Sequence, residues 1–420
     1  MDSEHCGIII TNIGKLATFA NSDAALSGEA MREPDIIENA AIAIRNDKII
    51  AVGTIREILA RFEAMEYIDA LGALVTPGLI DAHTHPVFLD TRSEEFEMRL
   101  AGKTYEEILE AGGGIYNSAN QLRAVNSDAL KEPVRKRLSQ MLEFGTTTVE
   151  AKSGYGLSRE SEIASLEVLS KVKHFAHVDV VPTFLGAHVV PEEYAENREE
   201  YINLIVDMLP ENVQRNLAEF IDVFIEKSAF SAEEAKIICE AAKEVGLKIR
   251  LHTNQFNSIG GIQLAAEVGA LTVDHLEVLD DDEIKILKKA GLMPVLLPGC
   301  SFFLGDERYP DARKLIDADL PVVLATDFNP GSSYILSLQF IMTLALLKMK
   351  MTPAEALAAM TVNAAYALDK GDKVGRIKPD YNADIVIWKV ADIRDIPYSV
   401  AQNQVRIVVK DGRIAVDRTR

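Results

Sequence analysis

Two histidines separated by one residue are the first signal for chemistry in this sequence. His83 and His85 follow a short apolar segment that has the composition of a β-strand. Because side chains of an extended segment alternate between its two faces, both imidazoles point to the same side and can reach one metal ion. Alone, the pair is weak evidence, since two histidines hydrogen-bonded in a turn would give the same pattern.

Two further metal donors stand at the ends of later apolar segments. His252 ends the fifth segment of the series, and Asp327 ends the eighth. With His83 and His85 they offer three ring nitrogens and one carboxylate oxygen, a donor set that suits Zn²⁺ or Fe²⁺. A bound divalent ion lowers the pKa of a coordinated water molecule and polarises a carbonyl group. The pattern therefore predicts one divalent metal ion and a hydrolytic reaction.

Another histidine, His275, ends the sixth segment and is the candidate for proton transfer. It lies outside the predicted ligand set, and an unperturbed imidazole titrates near neutral pH. Two other roles stay open for it: a fifth metal ligand, or a group that orients a ligand. Glu226 ends the fourth segment and could support a second ion, but no histidine stands beside it. A mononuclear site is therefore favoured.

The elements that must position these residues are eight short apolar segments alternating with helical ones. Such alternation indicates a parallel sheet with crossover helices. Eight strands favour an α/β fold of the (β/α)₈ barrel type, although periodicity alone leaves a doubly wound sheet open. In a barrel, the residues that follow the strands converge on the carboxyl-terminal face. The predicted strands are Gly78 to Ala82, Thr146 to Glu150, Val178 to Leu185, Glu219 to Ile225, Leu247 to Leu251, Leu271 to Asp274, Leu292 to Leu297 and Pro321 to Thr326.

Helix starts and chain ends carry separate signals. Ser231, with Glu234 three residues later, predicts a capping box, and the segment from Thr352 to Glu355 predicts a second helix start with a proline in its first turn. The apolar stretch from Ile335 to Leu347 is too short to span a bilayer and is predicted to be a buried helix. Both ends of the chain consist of short β-like runs separated by turns.

The amino-acid composition argues against nucleic-acid and membrane partners. The 420 residues carry a net charge of −20, which repels phosphate backbones and anionic lipid surfaces. The three cysteines, Cys6, Cys239 and Cys300, are far apart and odd in number, so no disulfide framework is expected and a reducing cytoplasm is the predicted location. We expect a homodimer that acts on a small molecule, with no nucleic-acid or membrane partner.

The segment from Thr76 to His85, TPGLIDAHTH, resembles the first-strand signature of the metal-dependent amidohydrolase superfamily. Nearly the whole chain resembles one family within it, the enzymes that hydrolyse the cyclic amide of 4-imidazolone-5-propanoate to N-formimidoyl-L-glutamate. The resemblance implies a barrel over residues 76–372 and a composite β-sandwich built from residues 1–75 and 373–420. The motifs that carry the narrower resemblance are Arg92 with Glu95-Phe96, Tyr105, Gly112 to Ile115, Lys152 to Leu157, Phe184 to His188 and Ala325 to Ser332.

The same resemblance implies roles for residues outside the predicted ligand set. The substrate would be held by Arg92, Tyr105, Tyr155 and His188. Asn329, Gly331 and Ser332 would line the pocket, mainly on the product side.

Physical chemistry supports some of these roles and leaves alternatives to others. An arginine such as Arg92 can grip a carboxylate with two hydrogen bonds, although a surface salt bridge to Glu94 or Glu95 would also explain it. Tyr155 stands between two glycines and could equally be a packed side chain in a turn. The segment from Asn329 to Gly331 could be only a turn after the last strand.

One position departs from the family pattern. Three residues after His252, where the family often has an acid, this chain has Gln255. A glutamine can donate and accept hydrogen bonds but cannot carry a proton. We therefore expect Gln255 to contribute to catalysis by orienting substrate, while His275, helped by Asp327, moves the proton.

Two rival functions share most of these features. One is another cyclic amidohydrolase, or an aminohydrolase of a heterocycle, with the same mononuclear metal set and a different pocket. The other is a non-catalytic barrel used for assembly, against which the intact set of four ligands argues.

Overall fold

The structure, a computed structural model, describes residues 4–103, 107, 112–173 and 175–419. Tyr105 therefore lies outside the described residues. Within them, one eight-stranded sheet is built from the two ends of the chain and a second from its middle. No helix in these ranges is long and apolar enough to cross a bilayer.

The strands are numbered in chain order. They are β1 (Glu4–Ala17), β2 (Ile36–Arg45), β3 (Lys48–Thr54), β4 (Phe62–Asp69), β5 (Leu74–Pro77), β6 (Leu79–Asp81), β7 (Thr146–Lys152), β8 (Asp179–Ala187), β9 (Phe220–Ile225), β10 (Lys248–Thr253), β11 (Thr272–His275), β12 (Met293–Leu296), β13 (Val323–Leu324), β14 (Ile385–Trp388), β15 (Val405–Lys410) and β16 (Arg413–Asp417).

The helices within the described ranges are numbered in the same way. They are α1 (Ile55–Arg61), α2 (Ser93–Leu100), α3 (Gly114–Arg123), α4 (Ser127–Glu143), α5 (Arg159–Val172), α6 (Arg198–Gln214), α7 (Ala232–Glu244), α8 (Gly261–Val268), α9 (Asp281–Ala290), α10 (Pro298–Leu304), α11 (Ala312–Asp317), α12 (Leu338–Met349), α13 (Pro353–Ala359), α14 (Val362–Ala367) and α15 (Asp395–Tyr398), with short 3₁₀ helices at Gly28–Arg32 and Glu192–Tyr194.

The middle sheet is a barrel. Its strands β6 to β13 are parallel and lie in consecutive order, whereas a doubly wound sheet reverses its strand order part-way. Thr84 forms a parallel bridge with Phe328, and the backbone N–H of His85 donates to the carbonyl of Phe328 at 2.8 Å. These bonds join the first strand's end to the last strand's end. The predicted (β/α)₈ barrel is confirmed and the doubly wound alternative is excluded.

The last barrel strand is shorter than predicted. β13 covers two residues, where the sequence predicts a strand from Pro321 to Thr326. The backbone N–H of Thr326 donates to the Asp81 carboxylate at 3.0 Å, and its hydroxyl donates to the same group at 2.6 Å. A side chain therefore takes the hydrogen bond that a regular ladder would make at this position.

Residues from both chain ends build the other sheet, as expected. Its order is β16-β15-β14-β5-β1-β2-β3, and β4 pairs with β1, so the carboxyl-terminal β14 lies directly beside β5. Apolar side chains of both ends, among them Ile10, Ile42, Ile385 and Ile407, share one core. Neither end could bury this apolar surface alone.

The two predicted helix starts are present. Ser231 and Glu234 form a capping box at the start of α7, and Thr352 and Glu355 form one at the start of α13. The predicted buried helix is α12, which begins later than the apolar run because the hydroxyl of Ser337 accepts from the N–H of Phe340.

Glu355 does more than cap its helix. Its fully buried side chain forms ion pairs with Arg313 at 2.5 Å and with Arg32 at 2.9 Å, which ties the amino-terminal segment to the barrel. Burial alone would raise the pKa of Glu355, but the hydrogen bonds from Arg313, Thr352 and Arg32 outweigh it and lower the pKa to about 2. The ion pairs with Arg313 and Arg32 therefore require the ionised carboxylate of Glu355.

We expect Glu355→Gln to cost about 3 kcal/mol of unfolding free energy at pH 7, because two arginines lose their buried partner. A folded-state pKa depressed from 4.5 to about 2 contributes stability above pH 4.5 that is lost as the pH falls towards 2. The advantage of the wild type over the variant should shrink by roughly 2 kcal/mol between pH 6 and pH 3. Denaturant titrations of both proteins across this range measure it, and a pH-independent difference would contradict the assignment.

Candidate functional site

Five predicted site residues meet at the carboxyl-terminal end of the barrel. His83 and His85 follow β6, His252 lies in β10, His275 ends β11, and Asp327 follows β13. All five are buried. The Oδ1 atom of Asp327 lies 3.4 Å from Nε2 of His85 and 3.6 Å from Nε2 of His83. The ring centroids of His83 and His252 are 4.3 Å apart. Barrel closure gathers residues that are up to 244 positions apart in the sequence.

The converging nitrogens fit a cation. Donor atoms of His83, His85 and Asp327 lie within 4.8 Å of one another, and so do those of His83, His252 and His275. Nε2 of His252 is buried and has no hydrogen-bond partner among the described residues. A buried, unpaired ring nitrogen is costly unless something binds it, and a divalent metal ion would. The chain thus has a histidine-rich potential metal site.

A carboxylate behind His83 orients its ring. Nδ1 of His83 lies 2.7 Å from the Asp274 carboxylate, which also accepts from the Arg250 guanidinium at 3.0 Å. Such a partner holds the proton on Nδ1 and leaves the lone pair of Nε2 for the site. Burial and the charge of Lys152 lower the pKa of His83 well below its usual value, so the ring stays neutral, as a metal ligand must.

A second carboxylate stands behind His252. Nδ1 of His252 lies 2.8 Å from Oδ2 of Asp222, which also contacts the ammonium of Lys152 at 2.8 Å. Lys152 in turn contacts Glu150 at 2.8 Å, and Glu150 accepts from the N–H of Thr84 at 3.1 Å. The lysine and its carboxylate partners are fully buried. The network therefore connects the strand that carries His252 to the segment between His83 and His85.

A pattern in the sequence corresponds to this buried network. The network comprises three acids and two bases inside barrel strands, so it leaves one net negative charge beneath the site, which favours a cation above it. Charged residues within apolar strands are rare unless paired, and that pattern is visible in the sequence. These residues are Glu150, Lys152, Asp222, Arg250 and Asp274.

Three of the residues implied to hold substrate form a wall beside His85. The His85 and His188 rings are stacked with centroids 5.4 Å apart, and Tyr155 lies 5.4 Å from His188. The guanidinium of Arg92 sits 5.6 Å above the Tyr155 ring. Burial raises the pKa of Tyr155 above its usual value, and burial with the nearby His85 lowers the pKa of His188 to about 3. Both side chains are therefore neutral hydrogen-bonding groups.

Arg92 is largely buried and forms no close salt bridge at the surface. Its Nε donates to the Ser118 hydroxyl at 3.0 Å, while the Glu95 carboxylate is 4.0 Å away and Glu94 is not its partner among the described residues. Nη2 of Arg92 is buried without a hydrogen-bond partner in the described ranges. A buried guanidinium N–H group without a partner is suited to a carboxylate ligand.

The loop that carries Tyr155 is held by Glu162 of α5. The Glu162 carboxylate accepts from the N–H groups of Gly154 at 2.9 Å, Gly156 at 2.7 Å and Leu157 at 3.0 Å. Gly154 has a φ of 108°, which a side chain would oppose, and its carbonyl accepts from Nδ1–H of His188 at 2.9 Å. Sequence reasoning missed Glu162, which anchors the wall from behind.

The segment after Asp327 is a tight turn around Asn329. The amide oxygen of Asn329 accepts from the N–H groups of Gly331 at 2.8 Å and Ser332 at 2.7 Å, and its amide nitrogen donates to the Asp327 carbonyl at 2.6 Å. A Cβ on Gly331 would lie 2.6 Å from Nη1 of Arg92. The turn therefore brings Gly331 against Arg92, and the side chain of Asn329 serves the turn itself.

Gln255 and His275 have neighbours that the sequence did not suggest. The side-chain N–H of Gln255 donates to the Cys300 thiol at 3.3 Å. Nδ1 of His275 lies 3.4 Å from the Glu277 carboxylate. Burial lowers the pKa of His275, but the charges of Glu277, Asp327 and Asp274 outweigh it and raise the pKa above its usual value.

The comparisons with known proteins agree with this geometry. A sequence profile of the Amidohydrolase family matches residues 74–415. Relatives named imidazolonepropionase are 46% identical in Geobacillus kaustophilus (strain HTA426), over 98% of each chain, and 43% identical in Alkaliphilus metalliredigens (strain QYMF), over 98% of this chain and 99% of the relative. The chain belongs to the imidazolonepropionases of the amidohydrolase family.

Solved structures support the amidohydrolase fold at low sequence identity. An adenosine deaminase from Xanthomonas campestris with bound zinc matches with a TM-score of 0.73 at 17% identity, covering 99% of this chain and 94% of that one. An atrazine chlorohydrolase from Arthrobacter aurescens TC1, complexed with zinc, matches with a TM-score of 0.74 at 17% identity, covering 98% and 95%. At such identities the match speaks for the fold alone.

We expect Asp274→Asn to weaken Zn²⁺ binding by 10- to 100-fold, because the amide cannot hold the His83 ring as the carboxylate does. Competition with a chromophoric chelator measures the Zn²⁺ affinity of the purified protein. Asp281→Asn, which removes an exposed carboxylate from α9, is the matched control and should leave the affinity unchanged. Equal affinities for wild type and Asp274→Asn would show that this carboxylate does not support the site.

Proposed function

We propose that this protein is a metal-dependent imidazolonepropionase. It would hydrolyse the cyclic amide of 4-imidazolone-5-propanoate, giving N-formimidoyl-L-glutamate. The observation that carries the proposal is the wall of Arg92, Tyr155 and His188 standing directly beside the cluster of His83, His85, His252 and Asp327. Near full-length identity of 43–46% to relatives of that name supports it.

We propose one divalent ion, Zn²⁺ or Fe²⁺, held by His83, His85, His252 and Asp327. The donor set suits either metal. When bound, the ion would activate water and polarise the substrate carbonyl. The buried acids behind His83 and His252 orient the two rings and leave a net negative charge there, which favours a cation.

Arg92, whose buried Nη2 has no partner among the described residues, gives the protein a local cation for an acidic substrate. A chain with a net charge of −20 repels propanoate at long range, so binding needs a positive group inside the site. Arg92 would grip the propanoate carboxylate, and neutral Tyr155 and His188 would hydrogen-bond the ring. Gly331 lies so close to Arg92 that a side chain at residue 331 would displace the guanidinium. Tyr105 keeps its predicted substrate role as part of this proposal.

His275 would carry the proton of the reaction. Hydrolysis forms a bond between the water oxygen and the ring carbonyl carbon and breaks the carbon–nitrogen bond, and the leaving nitrogen takes up a proton. His275 can accept the proton from water and return it to that nitrogen, with Asp327 close to the same imidazole. Gln255, whose N–H is directed at Cys300, would orient the ring through its remaining hydrogen-bonding atoms.

A substrate panel tests the proposal. Loss of the ring absorbance of 4-imidazolone-5-propanoate is followed with the metal-loaded protein, alongside hydantoin, a dihydropyrimidine and guanine. Turnover of the named substrate alone is the expected result. Turnover of another ring would indicate a different cyclic amidohydrolase or an aminohydrolase of a heterocycle. A metal-loaded protein that acts on none of the rings would indicate a non-catalytic barrel.

We expect His252→Ala to lose both bound metal and activity, because the ring supplies one of the proposed ligands. Metal analysis of the purified variant, together with the absorbance assay, measures both quantities. His5→Ala changes an exposed histidine of β1 and should retain both. Full metal stoichiometry in His252→Ala would contradict the ligand assignment.

We expect Gln255→Glu to leave kcat within about tenfold of the wild type, because His275 rather than residue 255 carries the proton. Steady-state kinetics on 4-imidazolone-5-propanoate measure kcat and KM. A gain of orders of magnitude in kcat would mean that an acid at this position is the missing catalyst.

A further inference from the structure

Glu277 carries a buried carboxylate that has no role in the reaction proposed above. It follows β11 by two residues, and its side chain is 6% exposed. One oxygen lies 3.4 Å from Nδ1 of His275, and the other, Oε2, is buried with no hydrogen-bond partner among the described residues. An acid in such a place is expensive unless it serves the group it contacts.

The backbone between His275 and Glu277 is strained in a way that creates this contact. His275 has a φ of 90° and Leu276 a φ of 68°, both in the region that non-glycine residues rarely adopt. A regular extended continuation of β11 would place residues 275 and 277 on the same face but further along the strand. The two left-handed residues instead turn the chain, and the Glu277 carboxylate meets Nδ1 of His275.

Hydrogen bonds from Asn254, which directly follows β10, hold this strained turn. The N–H of Val278 donates to the carbonyl of Asn254 at 2.9 Å, and the side-chain amide of Asn254 donates back to the Val278 carbonyl at 2.8 Å. Asn254 is itself left-handed, with a φ of 58°, and also donates to Glu283 at 3.0 Å. Strain over-determined by its surroundings is characteristic of functional sites.

The acids that follow Glu277 in the sequence form the helix cap and the salt bridge of this segment, and Glu277 takes part in neither. Asp280 and Glu283 form the capping box of α9, and Asp282 pairs with Lys285. No lysine or arginine of the described residues forms a salt bridge with Glu277. Its one described polar contact is therefore with the imidazole of His275.

We infer that Glu277 is a positioning residue for His275, holding the proton on Nδ1 so that Nε2 faces the reaction with a free lone pair. This deepens the proposed function and rests on it for the reaction, while the tautomer it sets is a property of the protein alone. A carboxylate behind a catalytic imidazole fixes the ring's orientation and stabilises the cation formed when Nε2 takes a proton. In this chain the carboxylate stands at 277, while residue 255 is an amide.

The kinetic test is Glu277→Gln, which keeps the shape and removes the charge. We expect kcat on 4-imidazolone-5-propanoate to fall on the order of 100-fold, with KM within about threefold and metal content unchanged. Glu277→Asp, which keeps the charge on a shorter side chain, should recover part of kcat. Asp282→Asn, an exposed acid of the same segment, is the matched control and should behave as wild type.

A purely structural role would move different quantities. It would lower the melting temperature or the metal content of Glu277→Gln, or would change kcat equally in the Gln and Asp variants. Each of these results, or a kcat within about threefold of wild type, overturns the inference.

Nuclear magnetic resonance of the wild type separates this inference from the proposed function. In zinc-loaded protein with ¹⁵N-labelled histidine, at a pH at which the His275 ring is neutral, the His275 signals, identified by their loss in His275→Gln, should show a protonated Nδ1 and an unprotonated Nε2. The opposite tautomer overturns the inference without any substrate. A protein with the expected tautomer that fails to hydrolyse the named substrate refutes the proposed reaction instead.

Discussion

The site depends on a network of buried charged side chains, three acids and two bases, that has one net negative charge. Glu150, Asp222 and Asp274 lie inside the barrel with Lys152 and Arg250 between them, and two of the acids contact the outer nitrogens of His83 and His252. Removing one member would leave a buried charge without its partner, which would lower the free energy of unfolding. The charges of the network therefore depend on one another. Its geometry directs both rings at the same point, while burial and the charge of Lys152 lower the pKa of both imidazoles and keep them neutral, as a cation site requires.

The barrel makes this arrangement possible because closure brings its first and last strands together. Asp327 reaches His83 and His85 only because the segment around Phe328 pairs with Thr84, and the Asp81 carboxylate binds Thr326 in the same place. The short β13 is a consequence of that closure. The wall of Arg92, Tyr155 and His188 is supported by Glu162, which binds the loop of Tyr155, and by the Asn329 turn, which brings Gly331 against Arg92 and also binds the carbonyl of Asp327.

Several of the chain's left-handed residues lie where the chemistry is proposed. Asn254, His275, Leu276 and Asp327 all have left-handed backbones, and each adjoins a proposed site residue or is one. Hydrogen bonds between neighbouring strands hold the first three in place. The strain thereby contributes orientation that regular strands do not provide, and it puts a carboxylate behind the candidate proton carrier, His275.

The sequence by itself predicted the eight-stranded α/β pattern, the capping boxes at Ser231 and Thr352, and the histidines and aspartate at strand ends, because periodicity and residue type are local properties. It left barrel closure open beyond a preference, and it did not predict the partners Asp274, Asp222, Glu162 and Glu277, because those contacts join strands and loops far apart in the chain. Whether Arg92 faces solvent or a ligand was likewise undecided by residue type. Tertiary structure decided that Arg92 does not face solvent, since only packing shows that its side chain is largely buried and that its Nη2 atom has no partner among the described residues.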